Sequence, residues 1–328
     1  MARLTRAELQ ELNRAKILEA ARAEFAERGY RDAKIDDIAD RAGLTRGAVY
    51  SNFPGKRALY FAVLAGAALG DRGAPEPVDG SVRGALAGFA RSWLARTANP
   101  ELLGEVLAEE DTRGVYAQLL EIQSVLFGPL LRTSEGDRGE QRARLALTVL
   151  HGANQLATLA PEFVAEDAVV AACAQLADLP AADTWRPPAD LPPVTRPNLA
   201  WPELLAVCTV HATPIELNAD GLILFLGPDR LGAVEDLVRG TDEPVTVVAG
   251  ALGSSELRLL AGLTLAGFGH NLRAAGGVPG QVKVVCDASA PSIAERLGVT
   301  GPETAVRVAN ARITARADGP GAGYALTR

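Results

Sequence analysis

The chain has 328 residues, which is long for one small domain and suits two or three. Hydrophobic residues make up 48%, but no uncharged apolar run approaches the roughly 18 to 20 residues of a membrane span. The charged N-terminus is unlike a signal sequence. We therefore expect a cytoplasmic protein without a membrane segment. The net charge is −7, yet residues 1–60 carry +3 and the remainder −10, which excludes nucleic-acid binding by the acidic bulk and directs it to the N-terminus.

The first predicted element is an amphipathic helix that ends at Gly29. Its apolar face is formed by residues at helical spacing, Ile17, Leu18, Ala21 and Phe25. A glycine commonly ends a helix because it accepts the left-handed conformation.

The segment from Ile35 to Phe53, IDDIADRAGLTRGAVYSNF, has the spacing of a helix-turn-helix. Ala39 is small where a second helix must cross closely, and Gly43 lies at the turn, where positive φ is often required. Thr45 is a favourable N-cap for a helix that begins at Arg46. This spacing predicts that residues 46–52 form the helix that enters the major groove of DNA.

With its flanks, roughly residues 12 to 65, this segment closely resembles the DNA-binding domain of the tetracycline-repressor (TetR) family of bacterial regulators. The resemblance depends on the helix-turn-helix spacing, the Gly29-Tyr30 stop and the Tyr-x-x-Phe-x-x-Lys tail. It implies a DNA-binding domain over residues 1–69. Its expected DNA-contacting residues are Lys34, Thr45, Arg46, Gly47, Tyr50, Asn52 and Lys56.

Separate roles are expected within this set. Arg46 suits a bidentate pair with guanine, although a phosphate contact without base reading is nearly as good an interpretation. Gly47 lets the helix backbone approach the bases, while Lys56 and Lys34 lie at helix starts where a cation and free N–H groups can grip phosphate. The resemblance implies phosphate hydrogen bonds from Thr45, Tyr50 and Asn52.

The next region, residues 80–179, is predicted to be all helical. Helices are expected over 82–97, 101–110, 115–131 with a bend at Pro129, 141–159 and 166–176. The resemblance implies that the last two form a homodimer interface and that the earlier ones surround a ligand pocket. Leu147 and Leu150 are the positions at which glutamate would test the interface, although the same replacements could also damage the fold.

The candidate pocket residues are polar or aromatic positions on these helices, Phe89, Trp93, Tyr116, Gln123, Phe127, His151 and Gln155. Each has the alternative of an ordinary core residue, and for His151 a satisfied core histidine is the stronger interpretation. Because few charges share these faces, the effector is expected to be a small, largely apolar molecule.

A proline-rich segment, residues 180–202, reads as an extended linker to a small α/β domain at 203–328. Strands are expected at 207–217 and 222–226, joined as a hairpin by the turn at 218–221, then at 244–249, 281–286 and 305–315. Helices are expected at 229–238, from Ser254 or Ser255 to Leu272, and at 291–297. The alternation predicts βαβ crossovers. The linker also predicts that residues 1–185 fold and bind operator without the α/β domain.

No family resemblance was found for this last region. The turn from Gly250 to Ser255 has the position of an anion-binding turn, but an ordinary strand-to-helix turn is the better interpretation because no phosphate-binding glycine motif is present. The three cysteines, Cys173, Cys208 and Cys286, are interpreted as buried small hydrophobes. We therefore predict no catalytic residues, no metal site and no cofactor.

The sequence thus predicts a multidomain protein: an all-α TetR-like helix-turn-helix with a helical ligand-binding and dimerisation domain, followed by a small α/β domain. The predicted function is a homodimeric repressor that binds a palindromic double-stranded DNA operator and is released by a small molecule. The alternative is a regulator fused to an enzymatic or nucleotide-binding module at 203–328.

Overall fold

The computed structural model describes residues 6–69, 78–96, 109–133, 137–180, 183, 185–249, 255–286 and 289–328. Its helices are α1 (Arg6–Asp32), α2 (Ile35–Ala42), α3 (Arg46–Asn52), α4 (Lys56–Leu69), α5 (Val82–Arg96), α6 (Glu110–Phe127), α7 (Glu140–Leu159), α8 (Glu166–Gln175), α9 (Val234–Gly240), α10 (Ser255–Ala274), α11 (Ala290–Arg296) and α12 (Ala322–Ala325). None of the helices in these ranges is long and apolar enough to cross a membrane. The expected helix at 101–110 lies almost entirely outside them, as do Gly250 to Ser254.

The strands are β1 (Leu199–Ala200), β2 (Leu205–Cys208), β3 (Thr213–Glu216), β4 (Gly221–Leu226), β5 (Val245–Val248), β6 (Val282–Val285), β7 (Glu303–Ala309) and β8 (Arg312–Asp318). Six of them form one mixed sheet in the order β1-β8-β7-β4-β5-β6, and β2 and β3 form a separate hairpin. Strands β4, β5 and β6 are parallel, with α9 and α10 in the connections, so the expected βαβ crossovers are present.

Two strand assignments from the sequence were wrong. The stretch 207–217 is a hairpin of its own, and β3 and β4 belong to different sheets, so residues 218–221 connect the sheets and do not form a β-hairpin. The stretch 305–315 turns at Asn310 and Ala311, both with positive φ (51° and 53°), which makes β7 and β8 an antiparallel pair. Two consecutive positive φ values match the twist of a tight hairpin even without glycine.

The proline-rich segment is also more ordered than a free linker. Thr195 forms an antiparallel bridge with Arg316, and β1 pairs with β8. The residues before β2 therefore extend the sheet at one edge. The physical reason is that proline tolerates an edge position, where a missing N–H faces away from the ladder.

The helices and the sheet share their cores. Helices α1 to α4 (residues 6–69), which we call the reading head, surround one apolar core. A second core is a single cluster of buried side chains, of which Ala85 is the first in the chain and Leu326 the last. Helix α10 contributes to both: Leu260 is buried in the core of the reading head, whereas Leu265 and Phe268 belong to the larger core. The α/β region is thus not the detached module that the proline-rich segment had suggested.

Candidate nucleic-acid interface

The helix-turn-helix forms as its local chemistry requires. Gly43 follows α2 with φ 65° and ψ 35°, the left-handed conformation expected at the turn. Thr45 caps α3, since its Oγ1 accepts the Ala48 N–H at 3.2 Å. Ile38 and Val49 are buried between the helices, and Ala39 is buried where they meet.

Helix α1 packs against α2 and α3 and ends as expected. Gly29 has φ 73° and ψ 173°, a conformation that is almost restricted to glycine, and it interrupts the helix before Asp32. Arg41 on α2 forms a two-pronged ion pair with Glu27, at 2.9 and 2.7 Å, and reaches the buried Glu24 at 3.3 Å. The charge of Arg41 and its hydrogen bond lower the pKa of Glu27. These contacts fix the angle between α1 and α2.

Arg46 lies at the exposed start of α3. Its guanidinium is 3.3 Å from Asp36 and 5.5 Å from the centre of the Tyr50 ring, and its side chain is 61% exposed. The hydrogen bond to Tyr50 and the charge of Asp36 raise the pKa of Arg46, so the guanidinium stays charged. Because both side chains are exposed, solvent screens this ion pair, and Arg46 can leave Asp36 to reach a base.

The other α3 positions differ in solvent exposure and in hydrogen bonding within the protein. Gly47 has open space around it, because an added Cβ would meet only the Thr45 hydroxyl at 3.9 Å. Tyr50 is exposed, whereas the Asn52 amide already donates to the Ala48 carbonyl at 2.8 Å. Thr45, Gly47 and Tyr50 therefore face solvent together with Arg46, while Asn52 would present its remaining polar atoms.

The two lysines are placed differently from each other. Lys34 is exposed at the position before α2. The Lys56 ammonium, at the start of α4, donates to the carbonyls of Arg31 (2.9 Å) and Ala33 (3.0 Å) and lies 4.9 Å from the Tyr30 ring centre. Lys56 thus connects the α1–α2 junction to the start of α4.

Two arginines outside the predicted set also hold this region. Arg14 lies 4.5 Å above the Phe53 ring and donates to the Asn52 carbonyl, so it fixes the end of α3. Arg57 on α4 donates to Glu109 and Asp111 before and within α6 and to Glu256 of α10 (2.8 Å). These partners raise the pKa of Arg57, although burial opposes them. The role of Arg57 was not predicted, since its acidic partners lie far along the chain.

Comparison with known proteins agrees with this geometry. The family described as "Bacterial regulatory proteins, tetR family" matches residues 17–63. The HTH-type transcriptional regulator SrpR of Pseudomonas putida is 51% identical over 65 residues, which cover 20% of this chain and 30% of SrpR. The HTH-type transcriptional activator FasR of Mycolicibacterium smegmatis is 47% identical over 51 residues, 16% of this chain and 23% of FasR.

The N-terminal region is a TetR-family domain. The match spans less than a third of either regulator, and the residues that match the family, 17–63, lie within the reading head. A solved TetR transcriptional regulator from Rhodococcus sp. RHA1 aligns with a TM-score of 0.35 and 20% identity, over 52% of this chain and 95% of that one.

Beyond the TetR-family domain, five of the seven predicted pocket residues are connected through ring contacts. Phe89 and Phe127 are fully buried with ring centres 4.2 Å apart, and Phe268 of α10 lies 5.3 Å from Phe89. Trp93, half-buried, links this group to His151 at 4.9 Å. Part of the space expected for a ligand is therefore filled by α10.

Two polar side chains, Tyr116 and His151, border the aromatic groups. The Tyr116 hydroxyl is 2.8 Å from His151 Nε2, and His151 Nδ1 is 2.7 Å from the Leu147 carbonyl. Burial raises the pKa of Tyr116 and lowers that of His151, so both are neutral near pH 7. Gln123 is buried, and its Oε1 has no hydrogen-bond partner among the described residues. Gln155 is exposed on α7, apart from these groups.

Helices α7 and α8 present an apolar surface at the other side of the helical region. Between them runs an open groove of about 330 Å³, lined by residues including Val149, Ala153, Leu156, Val164 and Ala168. Leu159 is 77% and Phe163 69% exposed. Leu147 and Leu150 are instead buried in the core, so they are unsuitable positions for testing the interface. They lie on the inner face of α7, which meets α5 and α6.

Proposed function

We propose that this protein is a transcriptional repressor that binds a palindromic operator as a homodimer and is released by a small molecule. The observation that carries the proposal is the outer face of α3, where Arg46 and Tyr50 are exposed and Gly47 has no packing role within the protein. A glycine costs a helix roughly 0.5–1 kcal/mol relative to alanine, so its presence at an uncrowded position favours a need for close approach by a partner.

Dimerisation is supported by the surface of α7 and α8. Large exposed apolar side chains cluster there, and contiguous apolar patches of this kind commonly mark interfaces. A two-fold pairing of this surface places two reading heads in one assembly, and helix-turn-helix dimers read half-sites about 34–36 Å apart.

The effector is expected to be a small, largely apolar molecule with one hydrogen-bond donor. The Gln123 oxygen is buried without a partner, and such a group costs about 1–3 kcal/mol until it is satisfied. The buried ring of Phe127, one turn along α6 from Gln123, supplies an apolar surface on the same side of the helix. Release requires that the ligand bind the DNA-incompetent arrangement more tightly than the competent one.

Operator selection followed by two matched variants tests the DNA assignment. The full-length protein is used to select binding sites from random DNA, and affinity is then measured by gel shift and fluorescence anisotropy. Arg46→Ala should lose about 1–3 kcal/mol and relax preference at one base pair per half-site. Arg312→Ala, which removes an exposed arginine bound to Asn198 on the sheet, should keep wild-type affinity.

Gly47→Ala separates DNA approach from helix stability. The added methyl fits the free protein, so thermal stability should hold or rise slightly, while operator affinity falls. Wild-type affinity and selectivity in both Arg46→Ala and Gly47→Ala would show that α3 does not read bases.

A further inference from the structure

A cysteine–histidine pair in the α/β region has the features of a reactive thiol. Cys208 ends β2, and its Sγ lies 3.1 Å from Nδ1 of His211, one turn later. The backbone N–H of Val284 points at the same sulfur from 3.4 Å. The contact between Sγ and Nδ1 suits a thiol proton donated to Nδ1, with the imidazole proton on the other ring nitrogen.

The charges around the pair are positive. Lys283 and Arg273 both act on the His211 ring, and with burial they lower its pKa, so the imidazole is neutral and able to accept a proton. The thiolate is the nucleophilic form of cysteine, and His211 is placed to accept the thiol proton. Cys173 provides the contrast, because burial alone raises its pKa to about 11.

We propose that Cys208 is a peroxide-reactive thiol that is activated by His211 and controls the reading head through α10. In the reaction the Cys208 sulfur attacks one peroxide oxygen, the S–O bond forms and the O–O bond breaks. The thiol proton passes by way of His211 to the departing oxygen, so a hydroperoxide yields a sulfenic acid and an alcohol. Sulfur is oxidised by two electrons and the peroxide is reduced by two. The buried position of Cys208 favours hydrogen peroxide and other small hydroperoxides over bulky electrophiles.

An added oxygen has no room beside His211 at 3.1 Å, so the turn over residues 208–212 must move. This turn lies against the middle of α10. A Cβ built on Gly269 would be 2.1 Å from the Val210 carbonyl, and Arg273 donates to that carbonyl at 3.3 Å. Displacement of the turn therefore displaces α10.

The opposite end of α10 holds the TetR-family domain. Leu260 is buried in the reading-head core and Glu256 pairs with Arg57 of α4. This helix continues without a break from Ser255 to Ala274. Oxidation of Cys208 at one end of α10 is thus expected to change the position of α4, and with it operator binding. The effect on operator binding rests on the proposed function, whereas the thiol chemistry does not.

The chemistry is tested on the full-length protein without DNA. The reduced protein is treated with hydrogen peroxide, trapped with dimedone and digested for mass spectrometry of the three cysteines. Cys208 should be labelled at least about 10-fold faster than Cys173 or Cys286, and His211→Asn should slow it by a similar factor, since a positioned base contributes that much or more. His211→Asn should also change the pH dependence of labelling, because the base that accepts the thiol proton is lost.

Cys286→Ser serves as the matched control and should leave Cys208 labelling unchanged. Labelling of Cys208 no faster than of Cys173, or an unaltered rate and pH profile in His211→Asn with circular dichroism intact, would overturn the thiol proposal.

Coupling is tested by operator binding before and after oxidation. Wild-type affinity should change by about 10-fold, a coupling of about 1.4 kcal/mol, and Cys208→Ser should not respond to peroxide. Glu256→Gln should be oxidised at the wild-type rate but show a smaller change in affinity. A labelled Cys208 with unchanged operator affinity would refute transmission through α10, whereas a reduced protein that binds no DNA would refute the proposed function and leave the labelling result standing.

Discussion

Replacing Leu260 with alanine tests whether the α/β region stabilises the reading head. Leu260 is 2% exposed and belongs to the same core as Phe25 and Tyr60, although it comes from α10. Truncating a buried leucine costs about 2–5 kcal/mol, which combines lost transfer free energy with an unfilled cavity. At about 3 kcal/mol, local opening becomes roughly 100-fold more frequent, since each 1.4 kcal/mol is a factor of ten.

Hydrogen exchange measured by mass spectrometry reports this change segment by segment. In Leu260→Ala, the protection factors of the amides in α1 and α4 should fall roughly 100-fold. Leu265→Ala is the matched control: it lies on the same helix, is 1% exposed and packs in the larger core. It should lower protection in α5 and α6 and leave the reading head largely unchanged.

Unchanged exchange over residues 6–69 in Leu260→Ala would refute the role of α10 in that core. An equal loss in both variants would show that the reading head and the rest of the protein open as one unit, contrary to the division into two cores.

Three further predictions follow from packing and burial. Phe163→Ser removes an exposed ring, so the fold should persist while the dimer dissociation constant, measured by analytical ultracentrifugation, rises roughly 30-fold. Leu191→Ser, which also changes an exposed residue, should have no effect on dimerisation. A wild-type monomer at micromolar concentration would contradict the interface. Residues 1–185 alone should aggregate or bind operator poorly, because removing Leu260 and Phe268 uncovers both cores; a soluble, operator-binding fragment would contradict this. Burial lowers the folded-state pKa of His151, so the contribution of this residue to the free energy of unfolding is full above about pH 6.5 and falls on acidification. Urea titrations at pH 7.5 and 5.5 measure this loss of stability, which His151→Gln should reduce. An equal loss between the two pH values in the variant and the wild type would contradict the prediction.

The DNA-binding region could be predicted closely because its signals are local. Gly43 adopts the left-handed conformation and Thr45 caps α3 through contacts within four residues. The same holds for the bend at Pro129, where α6 gives way to a 3-10 turn. Each of these depends on the chain nearby, so the sequence alone contains what determines it.

Errors arose where the deciding contact is distant or the turn residues are unusual. Asn310 and Ala311 form a tight turn without glycine, so one long strand was expected instead of β7 and β8. The apolar face of α10 was visible, but an apolar stripe does not specify its partner, and Leu260 and Phe268 go to different cores. The three-residue spacing of Cys208 and His211 was a usable signal for their contact and was passed over.

The length of α10 explains why the α/β region and the reading head are joined. Strands β5 and β6 have four residues each, roughly 13 Å, whereas the connecting helix α10 has 20 residues, roughly 30 Å. A crossover helix that only returned the chain to the next parallel strand would need to cover little more than the strand length. More than half of α10 therefore extends past the strands, and that extra length carries Glu256 and Leu260 to α4. Because a continuous helix moves as a body, the sheet end cannot shift appreciably while the contact with the reading head stays fixed.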